Sequence, residues 1–178
     1  MKLYVVRHGR TDWNVRRIMQ GRVDTSLNLE GIEQARETKK LLDGYAFDRV
    51  FVSPQKRALQ TAEIVTEGRG IPMVVAEALR ERSYGEFEGQ GREVFDYVAF
   101  WDFGKDLRYK EAENIRDFFD RVWSFLYMLK ERFPEEKVLL VTHGGVIRAV
   151  ECFVHPDKAN GELGRWMPKN CSVYEYDL

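Results

Sequence analysis

Two histidines stand in the same local setting. Leu3-Tyr4-Val5-Val6 leads into Arg7-His8-Gly9-Arg10, and Val138-Leu139-Leu140-Val141 leads into Thr142-His143-Gly144-Gly145. An imidazole near neutral pH offers a nucleophilic or metal-binding nitrogen and a transferable proton. Taken singly, His8 is a satisfied core histidine, a metal ligand or a catalytic group. Arg7 puts a guanidinium where a buried strand prefers an apolar side chain, so it needs an anionic partner. Gly9 lets backbone approach a ligand closely. The adjoining arginines repel a cation and no third ligand is spaced with the histidines, so no metal is expected. Arg7, Arg10, Arg16, Arg17 and Arg22 together form either a solvated basic face or an anion site that uses some of them.

A second constellation is Ser53-Pro54-Gln55-Lys56-Arg57-Ala58-Leu59-Gln60-Thr61-Ala62. Arg57 falls one turn into a helix that follows a strand. It is either a surface arginine or one held where free N–H groups and the helix dipole attract anions.

The elements that position these groups follow from periodicity. Strands are predicted at Lys2 to Arg7, Asp48 to Ser53, Met73 to Val75, Val138 to Thr142 and Ser172 to Tyr176, the last with the pattern of an edge strand. Helices are predicted from an Asn28 N-cap to about Leu42, from Pro54 to about Glu67, and from Gly145 to Phe153. The clearest helix starts near Ala112 and ends before Pro134. It sets Ile115, Phe118, Phe119, Val122, Phe125, Leu126 and Leu129 on one face. Residues 79–110 lack periodicity and read as a connection carrying one short helix, Glu93 to Phe100. Alternating strands and helices imply an α/β fold of three α/β/α layers around a mostly parallel sheet. Two parallel strands would then bring His8 and His143 to one carboxyl edge, where such sheets bind ligands.

Composition sets the bounds. The chain has 178 residues, 44% hydrophobic and 32% charged, with a formal net charge of -1. That suits one soluble domain and gives no sign of nucleic acid or a membrane surface as partner. No apolar run is long enough to span a bilayer, and the first strand begins at Lys2 without a signal peptide. Cys152 and Cys171 show neither metal spacing nor a disulfide framework, which fits two thiols in a reducing cytoplasm.

The motifs Arg7-His8-Gly9-x-Thr11, Asn14, Gln20-Gly21, Ser53-Pro54-x-x-Arg57-Ala58-x-Gln60-Thr61, Leu79-Arg80-Glu81-x-x-x-Gly85-x-x-Glu88-Gly89 and His143-Gly144-Gly145-x-x-Arg148 occur in one order along nearly the whole chain. Together they resemble the histidine phosphatase superfamily, also called phosphoglycerate mutase-like. The resemblance implies a phosphoglycerate mutase-like fold, residues 1–178 forming a single domain with a short cap insertion at about 80–111. It implies a phosphomonoester hydrolase in which His8 is the nucleophile and passes through a phosphohistidine. Arg7, Arg57 and His143 would surround the phosphoryl oxygens, with Asn14 and Gly144 also on the phosphate. Glu81 takes the acid–base position, although the residues alone read equally as a loop carboxylate pairing with Arg80 or Arg82. No cofactor is implied. The expected partner is a small phosphorylated metabolite, bound by a cytoplasmic monomer or homodimer.

The departures from the family pattern bear on substrate choice. Arg10 stands where Glu or Gln is usual; it either adds a cation to the pocket or pairs outward with Asp12 or Asp24. Arg10, Gln20, Gly21, Tyr84 and Trp101 are the candidates for specificity. Glu111-Ala112-Glu113-Asn114 lacks the usual proline and glycine, which leaves Glu113 a weak site candidate. Between Glu88 and Lys110 the chain lacks room for the long insertion of the mutases. An open site admits water, which favours a phosphatase over a mutase. The relatives this implies include broad-specificity, α-ribazole-phosphate and sugar-phosphate phosphatases. A third reading, of another class, is a weakly active member that binds a phosphorylated ligand. The aromatics Phe95, Tyr97, Phe100, Trp101, Phe103 and Tyr109 are expected mostly to pack the cap, with one or two lining a pocket.

Overall fold

The computed structural model describes residues 1–159 and 161–178. Its strands are β1 (Lys2–Arg7), β2 (Arg49–Val52), β3 (Met73–Val75), β4 (Lys137–Thr142) and β5 (Val173–Asp177). They form one sheet in the order β3-β2-β4-β1-β5. All run parallel except β5, which lies antiparallel along β1 at the edge. The helices are α1 (Asp12–Val15), α2 (Leu29–Leu41), α3 (Lys56–Thr66), α4 (Tyr97–Phe100), α5 (Ile115–Arg132) and α6 (Gly144–Val154).

The two central strands are apolar on both faces because both faces are covered. Leu3, Val5, Val138 and Leu140 join one core with residues of α5 and α6. Tyr4, Val6, Leu139 and Val141 join the other with Ala58, Ala62 and Val65 of α3. Helix α5 buries Ile115, Phe118, Phe119, Val122, Leu126 and Leu129 fully, each worth about 1.5–3 kcal/mol. Its N-cap is Asn114, whose side chain accepts from the Arg116 N–H at 2.8 Å.

Two predicted boundaries are corrected. The helix expected from Pro54 begins at Lys56, with Gln55 extended as its N-cap. Gln55 stays out of the helix because its side chain links two other segments: Nε2 donates to the Gly21 carbonyl at 2.9 Å, and Oε1 accepts from the Glu81 N–H at 2.8 Å. The helix expected over Glu93 to Phe100 is only α4, preceded by a 3-10 turn at Arg92–Val94. Asp96 ends the irregular run by capping the Ala99 N–H at 2.9 Å. The aromatics of this segment mostly pack inward, as Phe87 on Phe95 (4.4 Å between ring centroids) and Phe100 near Tyr109 (5.6 Å) illustrate.

Candidate active site

β1 and β4 pair in parallel with Arg7 opposite Thr142, so the next residues, His8 and His143, leave the sheet side by side. The His8 N–H continues the ladder to the Thr142 carbonyl at 2.8 Å. The two rings lie 5.2 Å apart between centroids, and both residues are buried.

Each imidazole is fixed by a neighbour. His8 Nδ1 is 2.7 Å from the Gly9 carbonyl, which only accepts, so the proton is on Nδ1 and Nε2 keeps its lone pair. His143 Nε2 shares a hydrogen bond of 2.7 Å with Ser53 Oγ at the end of β2. Burial first, then Arg57 and Arg7, hold His8 well below the usual imidazole range. His143 is held low by burial, then Arg57, His8 and Arg7. Both rings are therefore neutral at pH 7.

Around them stand cations and backbone donors. Arg7 donates through Nη1 to the Pro168 carbonyl, while its Nε has no partner among the described residues. Arg57 donates to the carbonyls of Gly21 and Val23, each at 2.8 Å, and its Nε is likewise unpartnered among the described residues. Burial lowers Arg57 to about 10, which leaves it charged at neutral pH. Thr61 anchors α3 to the histidine loop: its hydroxyl accepts from the Gly9 N–H at 2.9 Å and donates to the Arg57 carbonyl at 2.7 Å. Asn14 sits in a capping box with Thr11. Its oxygen accepts from the Thr11 N–H at 3.1 Å, which leaves its nitrogen as the donor end.

Glu81 does not pair with Arg80, which turns to Glu77, nor with the guanidinium of Arg82. Its carboxylate accepts from the N–H of Gly145 at 3.0 Å and of Arg82 at 2.9 Å. It thus rests on the first turn of α6. Gly145 lets the carboxylate approach this closely: a Cβ on it would lie 2.1 Å from Glu81 Oε1.

A cleft of about 50 Å³ joins these groups, with Arg7, His8, Asn14, Arg57, Glu81 and Gly144 in its wall. Of the specificity candidates, Gln20, Gly21 and Tyr84 line it. Arg10 does not. It pairs outward as one reading anticipated, but with Glu30 at 2.7 Å rather than Asp12 or Asp24, because α2 begins directly beside it. Trp101 is fully buried beneath the Arg82 and Arg148 guanidiniums and is a packing residue, not a wall of the cleft. Glu113 is a clamp as well, holding Arg121 at 2.6 Å and Arg22 at 3.3 Å. Of the five arginines near the first strand, Arg7 alone lines this cleft. Both cysteines are free thiols, raised by burial to about 12 for Cys152 and about 11 for Cys171.

Several residues of the site were not among the candidates named from the sequence. Gln55 ties the Gly21 loop to Glu81. Asn170 donates to the His8 carbonyl at 2.8 Å from the segment before β5. Arg92, Tyr97, Arg148 and Met167 also line the cleft. Among the described residues no cluster of His, Cys, Asp and Glu could hold a metal ion, and no helix is long and apolar enough to cross a membrane.

A mostly parallel sheet that delivers two neutral histidines and two buried arginines to one edge defines an α/β protein with a cationic cleft at that edge. The profile of the histidine phosphatase superfamily (branch 1) matches residues 3–178, and the chain belongs to that family. It is 37% identical over 146 residues to the uncharacterized phosphatase PhoE of Bacillus subtilis, covering 82% of this chain and 73% of that protein. It is 33% identical over 161 residues to a 2,3-bisphosphoglycerate-dependent phosphoglycerate mutase of Methylobacterium radiotolerans, covering 83% and 76%. The solved structure of Bacillus stearothermophilus YhfR superposes with a TM-score of 0.85 at 33% identity, covering 98% of this chain and 89% of that one.

Proposed function

We propose that the chain is a phosphomonoester hydrolase for a small phosphorylated metabolite of the broad-specificity, α-ribazole-phosphate or sugar-phosphate type, acting through a phosphohistidine at His8. The observation that carries this is the His8 tautomer. A buried neutral ring with Nδ1–H on the Gly9 carbonyl offers an Nε2 lone pair between Arg7 and Arg57.

Nε2 attacks phosphorus and the P–O bond to the alcohol breaks, with Glu81 giving its proton to the leaving oxygen. Water then attacks the phosphohistidine, its proton returns to Glu81, and Nε2 is released. Arg7, Arg57, His143 and the Gly144 N–H hold the equatorial oxygens, where charge spreads in the transition state. Asn14 adds its amide nitrogen. The whole chain acts as one domain, with residues of about 80–111 as its cap.

The test is phosphate release from a panel of phosphate monoesters in excess chelator. Wild type should release phosphate, and His8→Ala should lose at least about 10³-fold in rate. A wild type that binds a phosphorylated compound and hydrolyses none would reduce the protein to a binding member of the family. The similarity to a mutase favours a second reading: phosphate moved between positions of phosphoglycerate, rather than released, would establish it.

A further inference from the structure

The segment that carries Glu81 has no regular structure of its own. Residues 80–84 lie between 3-10 turns at Glu77–Leu79 and Gly85–Phe87 and belong to neither helix nor strand. Their backbone groups need partners from elsewhere. Side chains supply them. The Leu79 carbonyl accepts from the Thr142 hydroxyl at 2.9 Å, and the Glu81 N–H donates to Gln55 Oε1 at 2.8 Å.

Three further carbonyls converge on one guanidinium, that of Arg121 on α5. Its Nη1 donates to the Ala78 carbonyl at 2.7 Å, and its Nη2 to the carbonyls of Arg80 at 2.9 Å and Glu81 at 3.3 Å. The fork is itself fixed by Glu113, whose carboxylate accepts from Nε at 2.6 Å and from Nη2 at 2.9 Å. Glu113 also holds the far side of the loop. Its N–H donates to the Ser83 carbonyl at 3.1 Å, and its carbonyl accepts from Arg82 Nε at 2.9 Å. Neither Arg121 nor Glu113 is in the cleft wall. A lysine could not serve in this place, because one ammonium cannot offer a planar fork to a carboxylate and three carbonyls together.

We propose that Arg121, clamped by Glu113, is a positioning residue for Glu81. It sets the backbone from which the carboxyl reaches the leaving oxygen, and it touches no substrate. This rests on the hydrolase reading above, with Glu81 as the acid.

A double-mutant cycle tests it. Arg121→Met is made in wild type and in Glu81→Gln, and each protein is assayed on glycerol 3-phosphate and p-nitrophenyl phosphate. A residue that acts through the acid should lower kcat on glycerol 3-phosphate by about 10–100-fold, with KM little changed. The loss should be much smaller on p-nitrophenyl phosphate and absent in the Glu81→Gln background. Arg121→Lys should recover part of it, and carries the comparison if Arg121→Met does not fold. Equal losses on the two esters, or in the two backgrounds, mark a merely structural residue and overturn the proposal. Amide hydrogen exchange gives a readout without turnover. The N–H groups of Arg82 and Gly145, which donate to the Glu81 carboxylate, should exchange faster in the variant while those of β1 and β4 do not. Unchanged exchange at both overturns the proposal whatever the kinetics. Faster exchange with no phosphate released by wild type would keep Arg121 as the residue that places Glu81 and discard the hydrolase. A hydrolase that Glu81→Gln leaves at full rate would overturn both the acid and its positioning residue.

Discussion

His8 keeps its proton on Nδ1 because a carbonyl faces that nitrogen, and it stays neutral because burial and two guanidiniums oppose a further charge. His143 shares the second condition. Their folded values lie below their unfolded ones, so as pH falls through about 6.5 the unfolded chain takes up protons that the folded chain refuses. Stability contributed by the neutral rings is present above that pH and is lost below it, at up to about 1.4 kcal/mol per pH unit for each histidine. Melting temperature measured from pH 7.5 to 4.5 should fall, and His8→Asn should flatten that fall. An identical slope in the variant would contradict it. Activity should not fall with the ordinary imidazole titration, since burial and two guanidiniums hold the titration of His8 below that range. Glu81→Gln should lower kcat by about 10²–10⁴ on an alkyl phosphate and much less on p-nitrophenyl phosphate, whose leaving group needs no proton. Equal losses on both would remove Glu81 from the acid role. Arg57→Ala should raise the barrier by about 3 kcal/mol, read as kcat/KM on any ester.

At the scale of elements, small residues let the catalytic edge close. Gly31 opens α2, and a Cβ there would lie 2.1 Å from the Arg10 carbonyl; a Cβ on Gly9 would lie 2.5 Å from the Gly31 carbonyl. Gly31→Ala should therefore destabilise by about 1–3 kcal/mol, measured by urea unfolding, with part of its cost appearing as misplacement of His8. A neutral result would show that α2 can slide away freely. The strands and the helix α5 were legible because their apolar periods are unbroken. So were His8 and His143, because a strand end carries its functional residue in sequence with it. The start of α3 was not: local preference puts Pro54 at the first helical position, but Gln55 is recruited by Gly21 and Glu81, far away in the chain. Arg10 has two readings in the sequence for the same reason, since its partner Glu30 becomes a neighbour only when α2 docks. Tyr97 and Arg92 sit in a segment without periodicity, where no spacing says which side chains turn inward.

Across the whole molecule, charge is unevenly placed. A net charge of -1 would weakly repel a phosphate, yet the cleft gathers four arginines. The local field should dominate association at short range, so kcat/KM should fall as salt rises from 0.01 to 0.5 M, over which the Debye length shrinks from about 30 Å to below about 8 Å. A rate that rises with salt would show that net charge governs instead. One coupling also spans the molecule. The loop whose carbonyls hold Arg57 is the loop whose backbone pairs with residues 89–91, and Glu88 accepts from the Arg22 N–H at 2.9 Å within the same junction. The loop that anchors Arg57 and the segment at residues 89–91 are therefore stitched along one seam. An engineer wishing to graft a relative's recognition wall onto this scaffold would have to transplant residues 18–23 and 81–101 as a matched pair. Exchanging either piece alone should shift Arg57, the arginine proposed to hold the phosphoryl group.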